Sequence, residues 1–132
     1  MKIEDHLRNI NESLEVIKES IERGLQERQR NIAFNSSVAS VEMLEVYLHN
    51  LNLINPGAIL KHEWFNSLRQ ANERLPFDFE DKEKIISLLN SIESKRNNLC
   101  YGKLKPIEEI QAILNDFNQV KTIFESKGVK WN

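Results

Sequence analysis

The residues best suited to chemistry are concentrated in one short stretch, ESKRNNLCYGKLKP, which covers residues 93–106. It brings a guanidinium, two amides, a phenol and several ammonium groups together near the end of a helical pattern. Groups of this kind suit the binding of a phosphate or another anion. The candidate binding residues are Lys95, Arg96, Asn97, Tyr101 and Lys103. If the protein is an enzyme, Arg96 and Tyr101 are the candidates for catalysis.

Arg96 occupies a position at which the helical pattern calls for an aliphatic residue. Ile85, Leu89, Ile92, Arg96 and Leu99 follow alternating steps of four and three. Because a helix turns by about 100° per residue, Arg96 lies within the arc that the aliphatic residues define. Burial of an unpaired guanidinium is costly, so Arg96 needs a carboxylate, a bound anion or a wet cleft.

A purely structural interpretation of the same stretch also stays open. Basic side chains are favoured in the last turn of a helix, where they meet the negative end of the helix dipole. Gly102 is a natural residue just beyond a helix end, where a left-handed conformation is common. Arg96 would then stabilise the helix end and bind nothing.

Five segments have apolar residues at the spacing of an amphipathic helix, and none alternates as a half-buried strand does. Short connections between such segments predict an all-α fold, an antiparallel up-and-down bundle of about five helices that forms one domain over residues 1–132. The segments cover roughly residues 2–25, 28–53, 58–73, 79–100 and 106–126. In the first, the apolar stripe consists of Ile3, Leu7, Ile10, Leu14, Ile17 and Ile21.

The second segment is apolar over so broad an arc that it should be covered on more than one side. Its small residues, Ser36, Ser37, Ala39 and Ser40, would let another helix approach closely. We therefore expect a homodimer that forms through this helix or its neighbours.

Composition narrows the class of protein. With 18 basic and 20 acidic residues the net charge is −2, so nucleic-acid binding would need a local basic patch. The single cysteine, Cys100, favours a reducing cytoplasmic location. No apolar signal core or membrane span is apparent. The three histidines and one cysteine lack metal-ligand spacing, and no cofactor motif is recognisable, so we expect neither a metal nor a cofactor.

The string SKRNNLCYGK, which follows an apolar helix in an all-helical chain, resembles the HEPN family, the "higher eukaryotes and prokaryotes nucleotide-binding" domains. The family signature is an Arg, commonly followed by Asn, and then a His after four to six residues. Arg96, Asn97 and Gly102 match this pattern, whereas Tyr101 stands where the His would be. The resemblance implies a bundle of four to five helices that often forms homodimers around a shared basic cleft.

Many members of that family are metal-independent ribonucleases, commonly toxins paired with a minimal nucleotidyltransferase. By this resemblance Arg96 would stabilise charge on a phosphate, and Asn97 would position the substrate. Tyrosine titrates near pH 10 and histidine near 6.5, so Tyr101 is a poor general base. Its phenol could still donate to a phosphate or stack on a base. The resemblance therefore favours binding of a nucleotide or RNA phosphate, with a nucleotidyltransferase as a candidate partner in a toxin–antitoxin-type pair.

Two alternative functions stay open. The first is an active metal-independent endoribonuclease, in which Tyr101 or a histidine distant in sequence (His6, His49 or His62) supplies the base. The second is a helical dimerisation domain without a ligand, in which Arg96 caps a helix or pairs internally.

Overall fold

The computed structural model describes residues 2–131, which form helices joined by loops. No strand forms among these residues, so the predicted all-α bundle of five helices is confirmed. No helix in residues 2–131 combines the length and the apolarity that a membrane crossing requires. The helices are α1 (Ile3–Arg23), α2 (Gln29–Asn50), α3 (Leu68–Arg74), α4 (Lys82–Leu99) and α5 (Ile107–Ser126), with a 3₁₀ helix (His62–Asn66) before α3.

The four long helices alternate in direction. His6, near the start of α1, contacts Glu42, late in α2, so these two helices are antiparallel. Gln29, at the start of α2, donates to the carbonyl of Leu99 at the end of α4, so α2 and α4 are antiparallel as well. The short link between α4 and α5 reverses the chain once more. The topology is thus up, down, up and down, with α3 and the 3₁₀ helix inserted before α4.

Helix α2 lies at the centre of the molecule. It packs against α1, α4 and α5, and every residue from 39 to 48 is buried. Its broad apolar arc is therefore covered on more than one side, as predicted, but by helices of the same chain. A homodimer stays a prediction, and it would have to use residues other than this central stretch.

The third predicted segment divides into the 3₁₀ helix and α3. Ser67 separates them because its backbone is extended (φ −138°, ψ 146°) and its hydroxyl caps α3 by accepting the N–H of Gln70 at 3.0 Å. The 3₁₀ helix is fixed to α4, since the amide of Asn90 donates to the carbonyl of Phe65 at 2.8 Å. This contact places His62, the first residue of the 3₁₀ helix, alongside α4.

The buried face of α1 is rotated from the predicted stripe. Ile3 and Ile21 remain 38% and 46% exposed, whereas small and polar residues of α1 turn inward. Because serines of α2 are buried as well, small side chains on both helices permit a close approach. The buried residues of α1 are His6, Ile10, Ser13, Ile17 and Ser20.

The buried polar residues of α1 and α2 form a cluster around His6. Its Nδ1 lies 3.1 Å from Glu42 Oε2, and its Nε2 lies 3.3 Å from Glu45 Oε2. The carboxyl of Glu45 also accepts a hydrogen bond from the backbone N–H of Leu60. Burial raises the pKa of Glu45 to about 8, and the hydrogen bond from Leu60 offsets only part of this effect. The cluster thus links α1, α2 and the loop that leads to the 3₁₀ helix.

We expect Glu45→Gln to change how stability depends on pH. The folded protein retains a proton on Glu45 that the unfolded chain releases, so this contribution is complete at low pH and is lost as pH rises through about 8. Between about pH 5.5 and about pH 7.5 the unfolding free energy of the wild type should fall by about 2 kcal/mol more than that of Glu45→Gln. Urea unfolding followed by circular dichroism measures both proteins. Parallel pH dependences would contradict the prediction, and Glu12→Gln, on the exposed face of α1, is the control.

Candidate functional site

Arg96 lies on the buried face of α4 and is only 8% exposed. Ile85, Leu89, Ile92 and Leu99, which share its stripe, are all buried. The alternating spacing of four and three residues therefore predicted correctly that Arg96 lies inside the apolar seam. The cost of burying its charge has to be met by the groups around it.

Two groups face the guanidinium, one from the preceding turn of α4 and one from α2. Glu93, one turn earlier on α4, places Oε1 3.7 Å from Nη1, and its carboxylate is 2% exposed. On α2, the ring of Phe34 lies 5.3 Å from the guanidinium carbon, within the range of a cation–π contact. The Nε of Arg96 is buried and has no hydrogen-bond partner among the described residues. Arg96 is thus balanced in charge while one of its donors remains unused.

His62 completes the cluster from the 3₁₀ helix. Its Nδ1 lies 2.8 Å from both carboxylate oxygens of Glu93, and Nη1 of Arg96 contacts both ring nitrogens, at 2.6 Å from Nε2. Nε2 also lies 2.9 Å from Oε1 of Glu63, which is largely exposed. His62 itself is 32% exposed, so the cluster reaches the surface through its imidazole.

The two contacts of His62 Nε2 require opposite protonation states. An N–H of Arg96 can donate only to an unprotonated Nε2, whereas Nε2 must carry a hydrogen to donate to Glu63. A hydrogen bond from Nδ1–H to Glu93 leaves Nε2 as the one ring nitrogen to which Arg96 can donate. Glu93 can therefore orient the ring so that Nε2 is the nitrogen available to a ligand, an arrangement that general acid–base chemistry uses.

The predicted site residues face three different directions. Asn97 lies beside the cluster, where its amide donates to Asn66 at the end of the 3₁₀ helix (3.2 Å). Lys95 points towards α5 instead, with Nζ 2.6 Å from Oδ2 of Asp116. Tyr101 and Lys103 follow the end of α4 and are exposed. Asn97 thus binds the same 3₁₀ helix that carries His62, whereas Lys95 is engaged on another face.

Tyr101 borders a shallow depression of about 340 Å³ at the end of the bundle, together with Arg30 of α2. Gln29 shapes this region, because its side chain donates to the carbonyl of Lys103 (3.1 Å) and accepts from the N–H of Lys105 (2.8 Å). Gly102 has a φ of 91°, a left-handed conformation that glycine adopts readily. These features turn the chain after α4 back over the start of α2.

The pattern of the sequence did not reveal His62 as the partner of Arg96. The two residues are 34 positions apart, and the loop between α2 and the 3₁₀ helix has no periodicity from which its path could be inferred. The only signal was negative, since Tyr101 is unsuited to proton transfer at neutral pH and a histidine was needed from elsewhere.

No protein-family model, no curated protein and no solved structure matches the chain. The resemblance to the HEPN family therefore stays a prediction. Within residues 2–131 no group of three or more His, Cys, Asp or Glu side chains is arranged to hold a metal ion. The chemistry of the cluster is that of one guanidinium, one imidazole and two carboxylates.

Arg96→Ala should destabilise the fold. It would leave the carboxylate of Glu93, which is 2% exposed, without its cation, and we expect the free energy of unfolding to fall by about 3 kcal/mol. Adding Glu93→Gln should restore part of the loss, because a neutral amide is easier to bury. Arg69→Ala is the matched control, since Arg69 pairs with Glu73 on the exposed surface. Equal unfolding curves for wild type and Arg96→Ala would contradict the buried ion pair.

Proposed function

We propose that this protein binds the phosphate of a nucleotide or of RNA at Arg96 and His62. The observation that supports the proposal is the contact between the two side chains, one buried and cationic, the other a half-buried imidazole. A phosphate at the surface of His62 would meet both. Asn97 is the next residue of α4 and is exposed, and its amide would exchange its hydrogen bond to Asn66 for one to the phosphate.

The hydrogen-bonding capacity of Arg96 favours a phosphate. A guanidinium offers five N–H donors in a planar fork that matches phosphate oxygens. The Glu93 carboxylate lies at ion-pair distance, 3.7 Å from Nη1, and is itself engaged by His62. The Nε of Arg96 has no partner among the described residues. Because Nε is buried, a bound phosphate would accept from the terminal N–H groups of the side chain, which is 10% exposed.

The local charge balance sets a condition on binding. Glu93 lies at the guanidinium and Glu63 at the imidazole, so an entering anion meets two carboxylates and one guanidinium. Oε1 of Glu63 contacts Nε2 of His62, the same ring nitrogen that the phosphate would contact. Because Glu63 is on the surface and Glu93 is buried, the phosphate would displace Glu63 and leave Glu93 in place.

The binding proposal predicts substitutions with opposite effects. Arg96→Lys keeps the charge but loses the planar fork of donors, and His62→Gln removes the imidazole, so each should weaken binding of a labelled RNA about tenfold. Glu63→Gln removes the competing carboxylate and should strengthen binding a few-fold. Fluorescence anisotropy at low salt measures all three, with chemical denaturation to confirm that each variant is folded.

Glu73→Gln is the matched control for Glu63→Gln, because it removes an exposed carboxylate from α3 without touching His62. Equal affinities for wild type, Arg96→Lys and Glu63→Gln would refute a phosphate site at this cluster. A loss of stability without any RNA or nucleotide binding would instead support the helical domain without a ligand, in which Arg96 only pairs internally.

RNA cleavage is a second candidate function, and the contact between Glu93 and His62 favours it. In this geometry a buried carboxylate orients an imidazole whose other nitrogen lies near the surface, beside a guanidinium. Such an arrangement can accept the proton of a 2′-hydroxyl as its oxygen attacks the phosphorus, and the bond to the 5′-oxygen then breaks. The departing 5′-oxygen takes up a proton from the imidazole or from water, while the guanidinium stabilises charge on the phosphate. His62 would then supply the imidazole that the family motif places at the position of Tyr101.

For cleavage, we expect activity in the presence of a metal chelator and a fall of at least about a hundredfold in His62→Ala. Tyr101→Phe should retain the wild-type rate, because in this mechanism the phenol takes no part in proton transfer. Gel analysis of a labelled RNA incubated with each purified protein measures the rates. Equal background cleavage by wild type and His62→Ala would show that the protein is not a ribonuclease of this kind.

The homodimer, a nucleotidyltransferase partner and a role in a toxin–antitoxin-type pair stay predictions. They rest on the resemblance of the stretch around Arg96 and Asn97, and a nucleotidyltransferase reading frame beside the gene would support them.

A further inference from the structure

One face of α2 connects the features that surround Arg96. Arg30, Phe34 and Val38 follow one another at steps of four residues, so they lie in a row along the helix. Arg30 borders the depression that contains Tyr101, Phe34 contacts Arg96, and Val38 lines a cavity together with His62. The row therefore runs from the end of the bundle to the candidate phosphate site and a little beyond it.

The end of the row at Arg30 is strongly basic. Two groups of cations that are far apart in sequence meet here, because Gln26 and Gln29 hydrogen-bond to the backbone of the chain after α4. Glu27 is the acidic residue that borders the depression. None of the cations forms an ion pair with another described residue, and they stand out in a chain of net charge −2. They are Arg23, Arg28, Arg30, Lys103 and Lys105.

Two aromatic rings are presented along the same row. Tyr101 is 67% exposed and Phe34 is 47% exposed, which is unusual for rings of this size. The outer part of the Phe34 ring is free to stack while the guanidinium of Arg96 lies near it. Exposed rings alternating with cations are the pattern by which proteins hold unpaired bases and their phosphates.

The opposite end of the row is acidic. The cavity of about 210 Å³ beside His62 and Val38 is also lined by Glu42 and Glu45. Burial raises the pKa of Glu45 to about 8, so this carboxyl gains its charge only in alkaline solution, and Glu42 is the group that disfavours a phosphate here. A polyanion lying along the row would therefore end near His62. From Arg30 to Val38 the helix rises about 12 Å, which corresponds to three or four stacked nucleotides.

We propose that this face of α2 is a track for single-stranded RNA of about four nucleotides or more, with Tyr101 and Phe34 stacking on bases and Arg30 contacting a phosphate. The proposal rests on the phosphate site at Arg96 and His62, and it deepens that function by selecting a strand over a free nucleotide. A mononucleotide would fill only the part of the track next to His62.

A length series tests the track. Inorganic phosphate, uridine monophosphate and oligouridines of about two, four and eight nucleotides are titrated into the intact protein at low salt. Affinity should rise steeply up to about four nucleotides. Phe34→Ala and Arg30→Glu should weaken binding of the longer RNAs about tenfold, and Arg30→Glu should leave binding of phosphate and the mononucleotide unchanged. Phe34→Leu, which keeps apolar packing against Arg96, should lose the stacking contribution while remaining folded.

Matched controls use exposed residues away from the track. Lys84→Glu reverses a charge in the first turn of α4, at the opposite end of the bundle, and Leu68→Ala removes an apolar side chain of similar exposure to Phe34. Neither should change the affinity for RNA. A duplex of the same length should bind more weakly, because its bases cannot stack on the rings.

The outcomes separate the two proposals. If Arg96→Lys weakens every ligand but Phe34→Leu and Arg30→Glu change nothing, the track is wrong and the phosphate site stands. If no ligand depends on Arg96, the phosphate site is wrong and the track fails with it. Equal binding of duplex and single strand would overturn the stacking on Phe34 and Tyr101. Arg30-dependent binding to vesicles of anionic lipid, with no RNA binding, would assign the basic end to a membrane surface and overturn the track.

Discussion

The structure around the candidate site depends on one constraint, the burial of the Arg96 guanidinium in an apolar seam. A cation in that position needs a carboxylate, and Glu93 can supply it only from one turn away on the same helix. Glu93 is then a buried anion that itself needs donors, and His62 provides one. The 3₁₀ helix must therefore lie against α4, and the contacts from Asn90 to Phe65 and from Asn97 to Asn66 hold it there.

A second cluster of buried polar side chains also places carboxyl groups against a histidine, and it lines the cavity beside His62. His6 lies between Glu42 and Glu45, and Glu45 also holds the backbone of Leu60, shortly before His62. The loop that carries His62 is thus tied to α2 on one side and to α4 on the other. The raised pKa of Glu45 shows that burial outweighs the hydrogen bond that this carboxyl accepts. The position of His62 therefore depends on two clusters that both contain buried carboxyl groups.

The helices could be predicted from the sequence because their apolar spacing is a local property, and the same spacing located Arg96 inside the seam. The rotation of α1 could not be predicted in this way, since Ser13 and Ser20 are buried by virtue of their small size and not of their hydrophobicity. His62 escaped prediction for a different reason. Its contact with Arg96 depends on the path of an irregular loop and on the cap at Ser67, and neither leaves a periodic signal.

Stability alone does not account for the composition of the site. Replacing a buried ion pair by apolar side chains of similar size is often neutral or stabilising, so a leucine at position 96 with an apolar neighbour would serve the core at least as well. The present side chains instead leave the Nε of Arg96 without a partner and give Nε2 of His62 two contacts that no single protonation state satisfies. A structural pair would have no need of an unused donor or of a ring nitrogen with two competing contacts. A phosphate that approaches through His62 would displace Glu63 and relieve the competition at Nε2, which supports the proposal that the cluster binds a ligand.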